Sequence, residues 1–127
     1  MRVLIADDEE MVRSALKLIL EQDGAYQITG EVESTASLVA QIDAQHPDLL
    51  VLDWELPGLG GKNLFLHGLR ERWNELRILV LSGNPHSRKL ALALGVDAFV
   101  SKTEPPERLL ESIQKIRELL PTAHQVL

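Results

Sequence analysis

Residues 49–61 read Leu49-Leu50-Val51-Leu52-Asp53-Trp54-Glu55-Leu56-Pro57-Gly58-Leu59-Gly60-Gly61. Four apolar residues in a row leave no polar face, as in a parallel strand covered by helices on both sides. The run ends on an acid, and a Pro/Gly turn follows. Pro57 fixes φ, while Gly58, Gly60 and Gly61 permit positive φ or close backbone approach. Working outward, the same pattern recurs. Val3–Ala6 leads into Asp7-Asp8, Ile78–Leu81 into Ser82, and Ala98–Val100 into Ser101-Lys102. The run Tyr26–Val32 differs. Its Tyr26, Ile28, Gly30 and Val32 alternate with Gln27, Thr29 and Glu31, which suits a strand at a sheet edge.

Segments of helical period separate these runs. Val12, Ala15, Leu16, Ile19 and Leu20 form one apolar stripe, and Leu38, Val39 and Ile42 a shorter one with Ser34 or Thr35 as its cap. Leu64, Phe65 and Leu69 mark a third. Leu90, Ala93 and Leu94 mark a fourth, with Pro85 near its first turn and Gly95 at its stop. Leu109, Leu110, Ile113, Ile116, Leu119 and Leu120 mark the last, between Pro105-Pro106 and Pro121. Five βα repeats predict an α/β fold, (βα)5 and doubly wound, with a five-stranded parallel sheet. The order 2-1-3-4-5 fits best because it puts the alternating strand at an edge.

With 127 residues the chain fits one domain, read here as residues 1–120, with 121–127 a C-terminal tail or the start of a linker. Apolar residues at 45% rule out disorder. Without cysteine there is no disulfide, thiolate metal site or cysteine nucleophile. A net charge of −6 without a basic run argues against direct nucleic-acid binding by this chain. No apolar stretch is long enough to span a membrane, and the N-terminus turns acidic too soon for a signal peptide. A cytoplasmic location is the expectation.

Ligands of open α/β sheets bind beyond the carboxyl ends of the strands. In the expected order, Asp7, Asp8, Asp53, Ser82 and Lys102 converge there. Singly, each is an ordinary turn or helix-start residue; together they make a site with two net negative charges. Such a cluster raises carboxylate pKa values or recruits a cation. Oxygen-only ligands favour Mg²⁺, and a phosphoryl group could then approach Asp53 with Lys102 countering its oxygens.

These pieces resemble a response-regulator receiver domain of two-component signalling over essentially the whole chain. They are Leu4-Ile5-Ala6-Asp7-Asp8, Val51-Leu52-Asp53 with its turn to Gly61, Val80-Leu81-Ser82-Gly83 and Ala98-Phe99-Val100-Ser101-Lys102. The resemblance implies that Asp53 accepts a phosphoryl group from phosphohistidine on a sensor histidine kinase or phosphotransfer protein. It implies Asp7, Asp8, Asp53 and the main-chain carbonyl of Glu55 around Mg²⁺, and Lys102 on the phosphoryl oxygens. Ser82 and Phe99 take the place of the switch pair, Ser82 bonding the new group and Phe99 turning inward as the loop moves. The output would be a changed surface near the fourth and fifth helices, controlling a homodimer or a C-terminal DNA-binding domain outside this chain. Such a domain acts on itself and is not an enzyme in the ordinary sense. The run Lys102–Leu110 resembles receivers that precede LuxR/NarL-type output domains.

Several positions depart from the family pattern. Thr103 follows Lys102 where Pro is frequent, Phe99 replaces a commoner Tyr, and Leu56 stands where Met is usual. Trp54 has two readings, a group near the site mouth with emission that responds to Mg²⁺ or a partly buried packing residue, and Trp73 is expected to pack at a helix end. His46, His67, His86 and His124 show no ligand spacing. An aspartyl phosphohydrolase resembling haloacid dehalogenases would need Asp where Glu55 stands. A flavodoxin-like phosphate cradle would be repelled by Asp7–Glu10. A phosphorylation-independent adaptor is the remaining alternative, disfavoured because every expected site group is present.

Overall fold

The computed structural model describes residues 1–120, so the tail placed at 121–127, with His124, lies outside the described residues. Strands β1 (Arg2–Ala6), β2 (Gln27–Val32), β3 (Leu49–Asp53), β4 (Arg77–Ser82) and β5 (Ala98–Ser101) alternate with helices. These are α1 (Glu10–Glu21), α2 (Thr35–Gln45), α3 (Lys62–Arg72), α4 (Arg88–Ala93) and α5 (Pro106–Glu118). All strand pairs are parallel and the order is β2-β1-β3-β4-β5, as the pattern predicts.

Successive side chains of a strand point to opposite faces, and both faces here are covered. Val3, Ile5, Leu49, Val51, Leu79 and Leu81 pack with α1 and α5 on one side. Leu4, Ala6, Leu50, Leu52, Ile78 and Val80 pack with α2, α3 and α4 on the other. That double burial is why the central strands are apolar throughout. β2 is covered less fully, and its Gln27 and Glu31 are exposed.

Register levels the carboxyl ends. Ala6 pairs with Leu52, Asp53 with Leu81 and Ser82 with Ser101, so Asp7 emerges beside Asp53. The β3–α3 loop is pinned to the start of α2: Thr35 N–H donates to Pro57 O at 3.1 Å. Gly58 has φ +92°, and a Cβ there would fall 2.0 Å from Thr35 Oγ1. Only glycine fits.

The helices correct several expectations. Leu64 is 78% exposed, and Leu66 with Leu69 forms the buried stripe of α3, with Phe65 half-buried. In α4, Ala91 is the buried residue and Leu90 is 55% exposed. α4 itself is a short helix behind a 3-10 turn, Pro85–Ser87. In α1, Leu16 and Leu20 are buried but Ala15 is exposed, and Val39 and Leu119 also face solvent. In α4, with 6 residues, there are too few turns for periodicity to choose a face, and in α3 closely spaced apolar residues offer more than one stripe. Ser34 takes the N-cap position of α2 without a side-chain cap bond. Trp54 is buried in the α2–α4 core with the Lys62 ammonium 5.2 Å from its ring centroid, so it is a packing residue and not a group at the site mouth. Trp73 is half-buried at the end of α3, with the Arg72 guanidinium 4.6 Å from its ring centroid.

Candidate functional site

The strand ends bring the predicted residues to one rim. Asp7 and Asp53 are each 1% exposed, whereas Asp8 and Glu9 face solvent. Asp7, Asp8, Glu9 and Asp53 each offer an oxygen, and the four oxygens lie within 4.8 Å of one another. Two acidic side chains at such range repel by about 4 kcal/mol at an effective dielectric of about 20. One cation partly offsets this: Lys102 Nζ is 3.0 Å from Asp7 Oδ2, 3.0 Å from Glu9 Oε1 and 3.3 Å from Asp53 Oδ1. Lys102 reaches this point because its own amide donates to Ser82 O at 2.8 Å, tying the ends of β4 and β5.

The charges leave their mark on protonation. Burial drives the Asp53 carboxyl up, and Asp7 adds to it; the Glu55 amide at 3.0 Å and Lys102 pull the other way, and the balance is a pKa of about 6. Burial alone would lower Lys102. Its contacts with Asp7 and Glu9 and the charge of Asp53 outweigh burial and hold it above the ordinary lysine value. Asp53 is thus a buried carboxyl that changes protonation near neutrality, beside a permanent cation.

Asp7 Oδ1 accepts the Glu9 amide at 2.9 Å. Its buried Oδ2 makes no hydrogen bond of good geometry, its contact with Lys102 being an ion pair. A buried carboxylate oxygen with spare acceptor capacity, among three more acids, suits a hard oxygen-seeking cation.

Three contributors were not legible. Arg13, buried in α1, donates to Asp7 O at 2.7 Å and pairs with Glu31 and Glu33, fixing the turn that carries the acids. Its place inside an apolar stripe was the only signal. Glu9 completes the Lys102 shell. The Glu55 side chain accepts from Ser82 Oγ, at 3.0 and 3.1 Å to its two oxygens, whereas the family resemblance implies a role for its carbonyl alone. Phe99 is 5% exposed, its ring already inside the α2–α4 core, and its carbonyl accepts from Arg88 at 3.3 Å. After Lys102 the described peptides contain no cis bond, and the loop is closed by Ser101 Oγ against Thr103 Oγ1 at 2.7 Å. Among the described residues no histidine joins a group that could hold a metal.

The family profile described as "Response regulator receiver domain" matches residues 3–114. This chain belongs to that family. The receiver is 32% identical over 126 residues to the phosphate regulon transcriptional regulatory protein PhoB of Escherichia coli K12, covering 96% of this chain and 54% of PhoB. It is 30% identical over 116 residues to a probable transcriptional regulatory protein, SgaR, of Hyphomicrobium methylovorum, covering 90% of this chain and 54% of that one. The receiver therefore spans about half the length of these curated relatives. In structure it is similar to the isolated REC domain of RcsB from Salmonella enterica serovar Typhimurium, solved with the phosphomimetic BeF3⁻. That likeness has a TM-score of 0.86 and 25% identity, over 94% of this chain and 90% of that one. Another likeness is to a LuxR-family DNA-binding response regulator from Staphylococcus aureus, with a TM-score of 0.78 and 26% identity over 91% and 97%. Among the described residues no helix is long and apolar enough to cross a membrane.

Proposed function

We propose that this receiver takes a phosphoryl group onto Asp53 from phosphohistidine on a sensor histidine kinase or phosphotransfer protein. An Asp53 oxygen attacks phosphorus in line, the P–N bond breaks, and the imidazole leaves with the electron pair. The product is an acyl phosphate on the receiver itself, so the domain has no outside substrate to turn over. The observation that carries this reading is a 1% exposed Asp53 with an ammonium at 3.3 Å and three further acids around it.

Asp7, Asp8, Asp53 and the Glu55 carbonyl would hold Mg²⁺, which supplies positive charge to the phosphoryl oxygens when bound. Lys102 then meets one of those oxygens from the β5 side, and burial excludes water from the acceptor. Ser82 would bond the new group and draw the β4–α4 loop inward over Phe99, changing the surface of α4 and α5. That surface would govern a homodimer or an attached DNA-binding output domain. Salmonella RcsB, a structural relative, was solved bound to the rprA promoter. The kinase reading places the domain in the cytoplasm.

Acetyl phosphate with Mg²⁺ should add one phosphoryl group to the wild-type chain by intact mass, and none to Asp53→Asn. Equal modification of both would overturn the assignment.

A further inference from the structure

The Glu55 side chain occupies the donors of the loop that the phosphoryl group is meant to move. Ser82 Oγ donates to the carboxylate at 3.0 and 3.1 Å, and the Gly83 amide donates to Oε1 at 3.0 Å. Ser82 Oγ in turn accepts the Asn84 amide at 3.0 Å. The chain thus wraps the first residues of the β4–α4 loop around one carboxylate. Meanwhile the Glu55 backbone is anchored, its amide bonded to Asp53 Oδ1 at 3.0 Å. Only the side chain is free to swing.

Burial makes this contact one-sided. Ser82 is fully buried, so its one hydroxyl proton needs an acceptor inside the protein; the Glu55 carboxylate at 3.0 Å is nearer than the alternative, the Asn84 carbonyl at 3.3 Å. Glu55 is exposed, so its carboxylate can leave into water without desolvation. A carboxylate and a phosphoryl group present the same thing to an O–H and an N–H: paired anionic oxygens.

We propose that the Glu55 carboxylate is an internal surrogate for the phosphoryl group. It holds Ser82 and Gly83 in the unmodified receiver and is displaced when the group on Asp53 claims Ser82. This rests on Asp53 being the acceptor. Glu55 then sets how strongly the loop resists the switch, because a ligand shifts a two-state element only by its advantage over what already holds it. The displaced carboxylate and the phosphoryl dianion also repel one another, which keeps the two arrangements mutually exclusive.

The test uses the whole chain and beryllofluoride as the probe. In metal-free protein, Glu55→Ala should move the Gly83 amide resonance upfield in ¹⁵N–¹H spectra. With Mg²⁺ present, Glu55→Ala should tighten beryllofluoride binding about tenfold, the scale of a charge-assisted hydrogen bond. Glu55→Gln, which keeps an acceptor, should fall between. In a Ser82→Ala background the gain from Glu55→Ala should largely vanish. An unmoved Gly83 resonance, or an equal gain with Ser82 absent, would overturn the surrogate, the latter reducing Glu55 to simple charge repulsion. Beryllofluoride that binds Asp53→Asn as well as wild type would instead overturn the acceptor reading; the Gly83 resonance would still judge the Glu55 contact alone.

Discussion

Replacing Asp53 with Asn should make the metal-free protein more stable, and the gain should depend on pH in one direction. The folded state holds the Asp53 pKa at about 6 against an ordinary 3.8, chiefly through burial. Between those values the folded protein binds a proton that the unfolded chain has lost. Stability therefore falls as pH rises through this window, and the penalty is fully present above about pH 7. At about 1.4 kcal/mol per pKa unit, the gap amounts to about 3 kcal/mol. Asn mimics the protonated acid: it is neutral, and its side-chain oxygen can still accept the Glu55 amide. Lys102 keeps Asp7 and Glu9 as partners. Urea unfolding in EDTA should show Asp53→Asn about 3 kcal/mol more stable than wild type at pH 8, with the two converging near pH 4 and equal slopes against urea. Adding Mg²⁺ should narrow the gap at pH 8, since a cation relieves the cost of the ionised acid. Equal stability at pH 8, or a gap that widens as pH falls, would refute the view that buried charge at Asp53 is held at the expense of folding.

Two further outcomes follow from neighbouring features. Gly58→Ala should cost at least about 2 kcal/mol in urea unfolding, because it adds left-handed strain to a collision with Thr35, whereas Gly60→Ala, with open space at its Cβ, should cost about half as much; equal costs would mean that Thr35 simply moves aside. Lys102→Ala should fold, by circular dichroism, but lose its beryllofluoride response and about 1–3 kcal/mol of metal-free stability at pH 8, with less lost at pH 5 where Asp53 can take a proton; a loss that is larger at pH 5 would contradict the pairing.

Much of the candidate site could be read before any coordinates. Asp7, Asp8, Asp53, Ser82 and Lys102 sit at the ends of apolar runs, and strand ends in a parallel sheet share one rim. Glu9, Arg13 and the Glu55 side chain were harder. Glu9 and the Glu55 side chain act through partners distant along the chain and resemble ordinary surface charges in sequence, while Arg13 is marked only by its place inside the α1 stripe. Glu9 meets Lys102 across 93 positions, and Glu55 meets Ser82 across 27. Trp54 shows the converse: adjacency to Asp53 suggested the site mouth, but alternation along the chain sends the ring into the core.

The order of amino acids by itself determined the strands, the five βα repeats and the acids at the sheet's rim. Those depend on local hydrophobic pattern, which survives in one dimension because a strand buried on both faces must be apolar throughout. Packing decided the rest. It selected Leu66 over Leu64 and Ala91 over Leu90, since closely spaced apolar residues offer alternative stripes and only contact with the sheet chooses between them. It also set the pKa of Asp53 and joined Glu55 to Ser82, because desolvation and hydrogen bonding depend on distances through space that no spacing along the chain encodes.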